Sequence, residues 1–257
     1  MNRLKDKVAI VTAGGSGIGK ASAILFAQEG AKVLVNDIDQ VKGEYTVKII
    51  KNAGGEAVFY KADVSIVADM ARMIKTAVDN YGKLNILFNN AGMPGPYQMD
   101  ITEEAYQRCL DVNNKGAIFA TKFAVPEMRK VGGGSIIFTA STAGLFGTIN
   151  SPVYAMAKGG IVNLTRSLAL VLANDNIRVN CVCPTLVDTP MAPGFMPPGN
   201  EEEKKAKMKM FTTQIPLGGG RMAKSEEVGQ AVLFLASDEA SFITGSALAV
   251  DGGFCAK

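Results

Sequence analysis

Short β-branched runs, separated by stretches of helical length and pattern, recur along the whole 257-residue chain, and no other feature limits its fold as strongly. Strands are predicted over residues 7–12, 32–37, 57–63, 86–90, 135–141, 177–184 and 246–251. Helical pattern lies between them, near 17–29, 41–53, 66–81, 103–130, 154–173 and 225–237. Strands that alternate with helices pair in parallel, and both faces of the sheet must be covered. Right-handed crossovers then give a doubly wound, Rossmann-like α/β domain with a mostly parallel sheet of seven strands. Val8–Val11 and Lys32–Val35 are nearly continuously apolar, as strands buried on both sides should be.

No linker, repeat or second unit interrupts this rhythm, so residues 1–257 are expected to form one dinucleotide-binding and catalytic domain. One segment departs from it, over 190–220, and is read as a substrate-loop insertion. It holds Pro190, Pro193, Pro197, Pro198 and Pro216 and a charged run from Glu201 to Lys205. Met208, Met210 and Phe211 predict a short amphipathic helix near 201–212.

A net charge of +3 argues for neither a nucleic-acid nor a membrane partner. The apolar run at Val8–Val11 is too short for a signal segment, and no stretch approaches the roughly 18 apolar residues of a membrane span. A cytoplasmic protein is expected, with Cys109, Cys181, Cys183 and Cys255 reduced. Cys181 and Cys183, on alternate positions of one strand, are expected to point to opposite faces, which would leave them neither a local disulfide nor a shared metal site. The chain has no histidine, which removes Ser-His-Asp hydrolysis, histidine zinc sites and histidine-based dehydrogenases. Proton chemistry must then use Tyr, Lys, Cys, Asp or Glu, and no metal site is expected.

The first strand runs into a glycine-rich turn that opens a helix, with Gly14, Ser16, Gly17, Ile18 and Gly19 as candidate cofactor-binding residues. Glycines let a backbone turn sharply and approach a pyrophosphate, whose charge meets the free N–H groups of the helix N-terminus. Asp37 ends the second strand, where a carboxylate accepts from ribose hydroxyls and repels a 2′-phosphate. Neither Ser16 nor Ile38 supplies the cation such a phosphate would need, so NAD is expected over NADP. Asp63 and Val64 follow the third strand, and Asn90, Ala91 and Gly92 the fourth, at the carboxyl ends where open parallel sheets bind ligands. Asp63 could hold an adenine amino group, while Ala91 and Gly92 leave room for the cofactor.

Tyr154 and Lys158 are four apart at the start of a predicted helix and share a face. A free tyrosine, with a pKa of about 10, is a poor base, but a nearby ammonium and a positive nicotinamide ring stabilise its phenolate. Tyr154 could then move the proton of an alcohol while hydride moves to or from the cofactor. Ser141, at the end of the fifth strand, can hydrogen-bond the substrate oxygen.

The ordered set of the Gly14–Gly19 turn, Asp37, Asp63, Asn89 to Gly92, Asn113, Ser141, Tyr154, Lys158 and Pro184 to Thr189 resembles the short-chain dehydrogenase/reductase family over essentially the whole chain. That resemblance implies a catalytic set of Asn113, Ser141, Tyr154 and Lys158, in which Asn113 helps hold a water in a proton relay through Lys158. It implies that Lys158 also binds the nicotinamide ribose, beside Tyr154, and that Pro184, Val187 and Thr189 border the nicotinamide. It further implies a homotetramer, with helices near 103–130 and 154–173 at a main interface. Three positions depart from the family pattern: Ala13 and Thr185 replace glycines, and Asn85 replaces an aspartate. Ala13 is tolerable where the backbone avoids positive φ.

The expected activity is interconversion of a secondary alcohol and a ketone with NAD(H). Two alternatives are a 3-oxoacyl-acyl-carrier-protein reductase and a non-catalytic NAD-binding sensor on the same fold. Met93, Pro94, Ala143, Phe146, Met191 and the loop out to Phe211 are expected to shape a mainly apolar pocket for a hydrophobic or cyclic alcohol. No cation is expected there to bind a carboxylate or phosphate.

Overall fold

The structure is a computed structural model that describes residues 2–196 and 199–256. Pro197 and Pro198 of the 190–220 segment lie outside the described residues. Seven strands form one sheet: β1 (Val8–Val11), β2 (Lys32–Asp37), β3 (Glu56–Lys61), β4 (Ile86–Asn89), β5 (Gly134–Thr139), β6 (Ile177–Pro184) and β7 (Ala247–Val250). Their order is β3-β2-β1-β4-β5-β6-β7. Every pairing is parallel, so the sheet is wholly rather than mostly so. The order reverses between β1 and β4, and a crevice opens beyond their carboxyl ends.

The apolar strands are explained by a core on each face. Ile10 and Leu34 face one core, and their neighbours Ala9, Val11, Val33 and Val35 face the other. The first core is covered by α3 (Val67–Tyr81), α5 (Gly116–Lys130) and α6 (Pro152–Leu172). The second is covered by α1 (Gly17–Gln28), α2 (Gln40–Asn52) and α8 (Ser225–Ala236). Phe138 fills the first core, and Phe26 and Phe88 the second, each fully buried.

The cysteine expectation is corrected on β6. Ile177, Val179, Cys181 and Cys183 all face the same core, while Val182 faces the other. Side chains alternate with period two along a strand, so residues two apart share a face. All four cysteines are free.

The patterned stretch over 103–130 is not one regular helix. It comprises α4 (Glu103–Leu110), a π-helical turn at Asp111–Lys115 and then α5. Such turns insert at specialised points in helices, and this one carries Asn113. α6 begins two residues before Tyr154, with Pro152 at its first position and the Ser151 hydroxyl accepting from Tyr154 N at 3.3 Å. The predicted helix of the 190–220 segment is α7 (Glu201–Thr212), started by an Asn200–Glu203 capping box. Among the described residues no helix is long and apolar enough to cross a membrane.

Candidate active site

The turn after β1 is tied to β4 and β5 by two side chains. Thr12 Oγ1 accepts from the backbone N–H groups of Asn90 (2.9 Å) and Ala91 (3.0 Å). The Asn90 amide donates to the carbonyls of Thr12 (3.1 Å) and Ala13 (3.4 Å), and its oxygen accepts from Thr139 Oγ1 at 3.0 Å. The Asn90 side chain is thus spent on holding three strand ends together, although the residue borders the crevice.

Packing dictates the glycines. A Cβ on Gly15 would lie 2.7 Å from Asp37 Oδ2, and one on Gly19 would lie 2.1 Å from the Ala13 carbonyl oxygen. Gly17 has φ +51° and a Cβ there would reach 2.9 Å from Thr189 Cγ2. The Ser16 side chain does not cap α1. A bare turn therefore leads into a twelve-residue helix whose first N–H groups face the crevice, a cradle that fits a dinucleotide pyrophosphate.

Ala13 has φ +51°, so the condition under which its methyl would be harmless is not met. The left-handed conformation costs an L-residue about 1–2 kcal/mol. Glycine there would relieve this at an unfolded-state entropy cost of about 0.4–1 kcal/mol. Ala13→Gly is expected to raise the unfolding free energy by about 0.5–1 kcal/mol in urea titrations; an unchanged or lower midpoint would contradict this.

Asp37 is buried, with Oδ2 accepting from Gly15 N at 2.8 Å and Oδ1 from Asp39 N at 2.9 Å. Both oxygens keep lone pairs toward a cavity of about 320 Å³, shared with Asp63, Val64, Ala91 and Gly92. The structure adds a residue that sequence reasoning missed, Arg108 of α4. Its guanidinium lies 3.3 Å from Asp63 Oδ2 and 2.8 Å from Ser65 Oγ. Burial alone would raise the Asp63 carboxyl, but hydrogen bonds from Ser65 and the Arg108 charge outweigh it and hold the group below its ordinary value. Arg108 is paired with Asp63, and Lys42 with Asp39 at 2.9 Å.

Ser141, Tyr154 and Lys158 converge on the wall of a larger cavity of about 460 Å³, which Ser16, Gly17 and Ile18 also border. The Ser141 hydroxyl contacts the Tyr154 phenol and accepts from Ala143 N at 3.1 Å. Lys158 Nζ donates to the Thr139 carbonyl at 2.8 Å and stands 5.7 Å from the centre of the Tyr154 ring. Burial pushes the Tyr154 phenol up, and the Ser141 hydrogen bond offsets only part of that. The expected lowering is therefore not supplied by the protein's groups acting alone. Burial also brings Lys158 down from 10.5 to about 8.

Asn113 sits behind this wall, not in it. Its amide donates to the carbonyls of Met93 (3.0 Å) and Cys109 (2.9 Å), and its oxygen accepts from Met93 N at 3.3 Å. Gly92 fills the gap: a Cβ there would lie 2.9 Å from Asn113 Oδ1 and 3.2 Å from Lys158 Nζ. Pro184, Val187 and Thr189, beyond β6, border the same cavity. The segment is fixed by Asp188 N donating to the Ala223 carbonyl at 2.9 Å. Thr185 is there too, with its hydroxyl buried and without a protein partner among the described residues.

The far end of the cavity is shaped by Met93, Pro94, Ala143, Met191, Phe195, Met196 and Phe211. Phe195 packs on the Tyr154 ring at 5.1 Å. Phe146 is not among them. It leans on Phe254 at 5.5 Å, and Phe254 stacks on Phe211 at 5.2 Å, so Phe254 braces the loop from outside. One cation, Lys204, does border the cavity, contrary to expectation.

A family profile described as enoyl-(acyl carrier protein) reductase matches residues 12–255. An uncharacterized oxidoreductase of Thermotoga maritima is 43% identical over 97% of each chain. The chain belongs to the short-chain dehydrogenase/reductase family. Within that family, the cyclohexanol dehydrogenase of an Acinetobacter species is 39% identical over 100% of this chain and 98% of its own length. The crystal structure of levodione reductase superposes with a TM-score of 0.93, at 30% identity and 98% coverage of each chain. This short-chain dehydrogenase/reductase is accordingly an oxidoreductase that works with a nicotinamide cofactor.

Proposed function

We propose that this enzyme interconverts a cyclic or otherwise hydrophobic secondary alcohol and its ketone, with NAD(H) as cofactor. The observation that carries this reading is the convergence of Tyr154, Ser141 and Lys158 on the cavity that also receives the glycine turn. The glycine turn would hold the pyrophosphate, Asp37 the adenosine ribose, and Pro184, Val187 and Thr189 the nicotinamide end. When bound, the nicotinamide supplies the hydride-accepting ring. Every other task falls to the chain. Ser141 orients the carbinol oxygen, and Tyr154 takes its proton. Lys158 steadies the phenolate, and the proton that Tyr154 takes up leaves by way of the Lys158 ammonium and a water held near the Asn113 turn. The apolar wall from Met93 to Phe211 keeps water from the reacting carbon. Likeness to a cyclohexanol dehydrogenase and to levodione reductase favours a ring substrate.

Purified protein with NAD and cyclohexanol should form reduced nicotinamide, and much less with NADP. Tight NAD binding with no turnover on any secondary alcohol would instead favour a binding protein. We also infer a cytoplasmic location and a homotetramer. Half- to fully exposed Ile118 of α5 and Met156, Leu170 and Val171 of α6 give its helices an apolar surface to bury.

Lys158 also bears on stability. Its pKa lies below the unfolded 10.5, so between about 8 and 10.5 the unfolded chain holds a proton the folded protein lacks. Stability from this group therefore rises with pH across that window, and below it the fold carries a penalty of about 3 kcal/mol. Loss of the hydrogen bond to Thr139 costs about 1 kcal/mol in return. Lys158→Met should thus be more stable than wild type at pH 7, by about 1–3 kcal/mol, and should be inactive. In urea titrations that advantage should shrink toward pH 10.5; a pH-independent difference would contradict the buried-ammonium account.

A further inference from the structure

The cavity that receives Tyr154 contains no acidic side chain among its described lining residues; its charged members are Lys158 and Lys204. Lys158 belongs to the reaction. Lys204 has no such task. It lies in the first turn of α7, and Phe211, two turns later on the same helical face, borders the cavity as well. Met208 and Phe211 pack against Leu186, Ala192 and Met196, which fixes the side of α7 that turns inward. The other lysines of the helix, Lys205, Lys207 and Lys209, do not reach the cavity.

Lys204 is also weakly engaged. Its partner is Glu201, at 3.6 Å, the longest ion pair among the described residues, and the Glu201 side chain is 83% exposed. The neighbouring Glu203 turns back onto the Asn200 backbone in the capping box. An ordinary three-apart helix pair would be worth a few tenths of a kcal/mol at most, about 0.2–0.5, and would not hold the ammonium from a better acceptor. The cavity therefore presents a reacting centre at Tyr154, an apolar middle at Phe195 and Met196, and at the loop a bordering lysine, Lys204, whose ammonium is held only by a long pair to Glu201.

We propose that Lys204 is a specificity-determining residue and that the preferred substrate is a secondary alcohol carrying an anionic group, such as a carboxylate, away from its carbinol carbon. This rests on the alcohol–ketone reading above and names its substrate class. An ammonium that meets a carboxylate beside an apolar wall forms a charge-assisted hydrogen bond, and the same wall accepts the ring between the two polar ends.

The test compares wild type, Lys204→Met and Lys204→Arg. Binding of cyclohexanecarboxylate, measured by calorimetry in the presence of NADH, should weaken by at least about tenfold in Lys204→Met and recover largely in Lys204→Arg. The ratio of kcat/KM for 4-hydroxycyclohexanecarboxylate over cyclohexanol should fall by a similar factor in Lys204→Met. Equal carboxylate affinity in wild type and Lys204→Met, or a wild-type preference for cyclohexanol, overturns the proposal. If neither alcohol is oxidised but the affinity difference is present, the alcohol–ketone reading fails and the Lys204 site stands.

Discussion

Tyr154→Phe is expected to reduce turnover of a secondary alcohol by at least about 100-fold, the loss typical of removing a positioned general acid–base. The ring should stay in place, because its contact with Phe195 and its position on α6 do not depend on the hydroxyl. NAD affinity should therefore change little. Burial raises the phenol in the protein itself, so nothing but the cationic surroundings of the assembled site can bring it into use. Residual turnover in the variant should lack the wild-type pH dependence. Near-normal kcat would remove Tyr154 from its role.

The second large effect concerns Asp37. Its carboxylate is both a turn latch, through Gly15 N and Asp39 N, and a fixed negative charge at the cavity expected to take adenosine. Asp37→Asn removes the charge and keeps one acceptor oxygen. The preference for NAD over NADP, as a ratio of kcat/KM, should fall by at least about tenfold as the repulsion of a 2′-phosphate disappears. One of the two backbone donors loses its acceptor, so stability should drop by about 1–3 kcal/mol. An unchanged cofactor ratio with that loss of stability would reduce Asp37 to a structural residue.

Much of this architecture is legible in the chain because the signals are local. A continuous apolar strand, a glycine turn and a helix start each follow from neighbouring residues, and β1, the turn and α1 lie within two residues of expectation. The 201–212 helix is legible for the same reason, from its charged run and from Met208 and Phe211, and the structure adds the Asn200–Glu203 cap that starts it. What is not legible depends on residues far apart. The π-helical turn carries Asn113, whose amide bonds the Met93 backbone twenty residues away. Arg108 reaches Asp63 from α4, and Phe146 is drawn outward by Phe254. Lys204 looks like one more charge in a solvated run until the apolar face of α7 turns it inward. The opposite-face placement of Cys181 and Cys183 failed for a simpler reason, because the two-residue period of a strand puts both on one side.

The central claim, that Tyr154 carries the proton, is tested most directly by the ultraviolet difference spectrum on adding NAD to the protein. A tyrosinate signal should appear near the pH at which alcohol is oxidised, be absent with NADH, and vanish in Tyr154→Phe. Full alcohol oxidation with no NAD-induced tyrosinate, or the same signal in Tyr154→Phe, would contradict it.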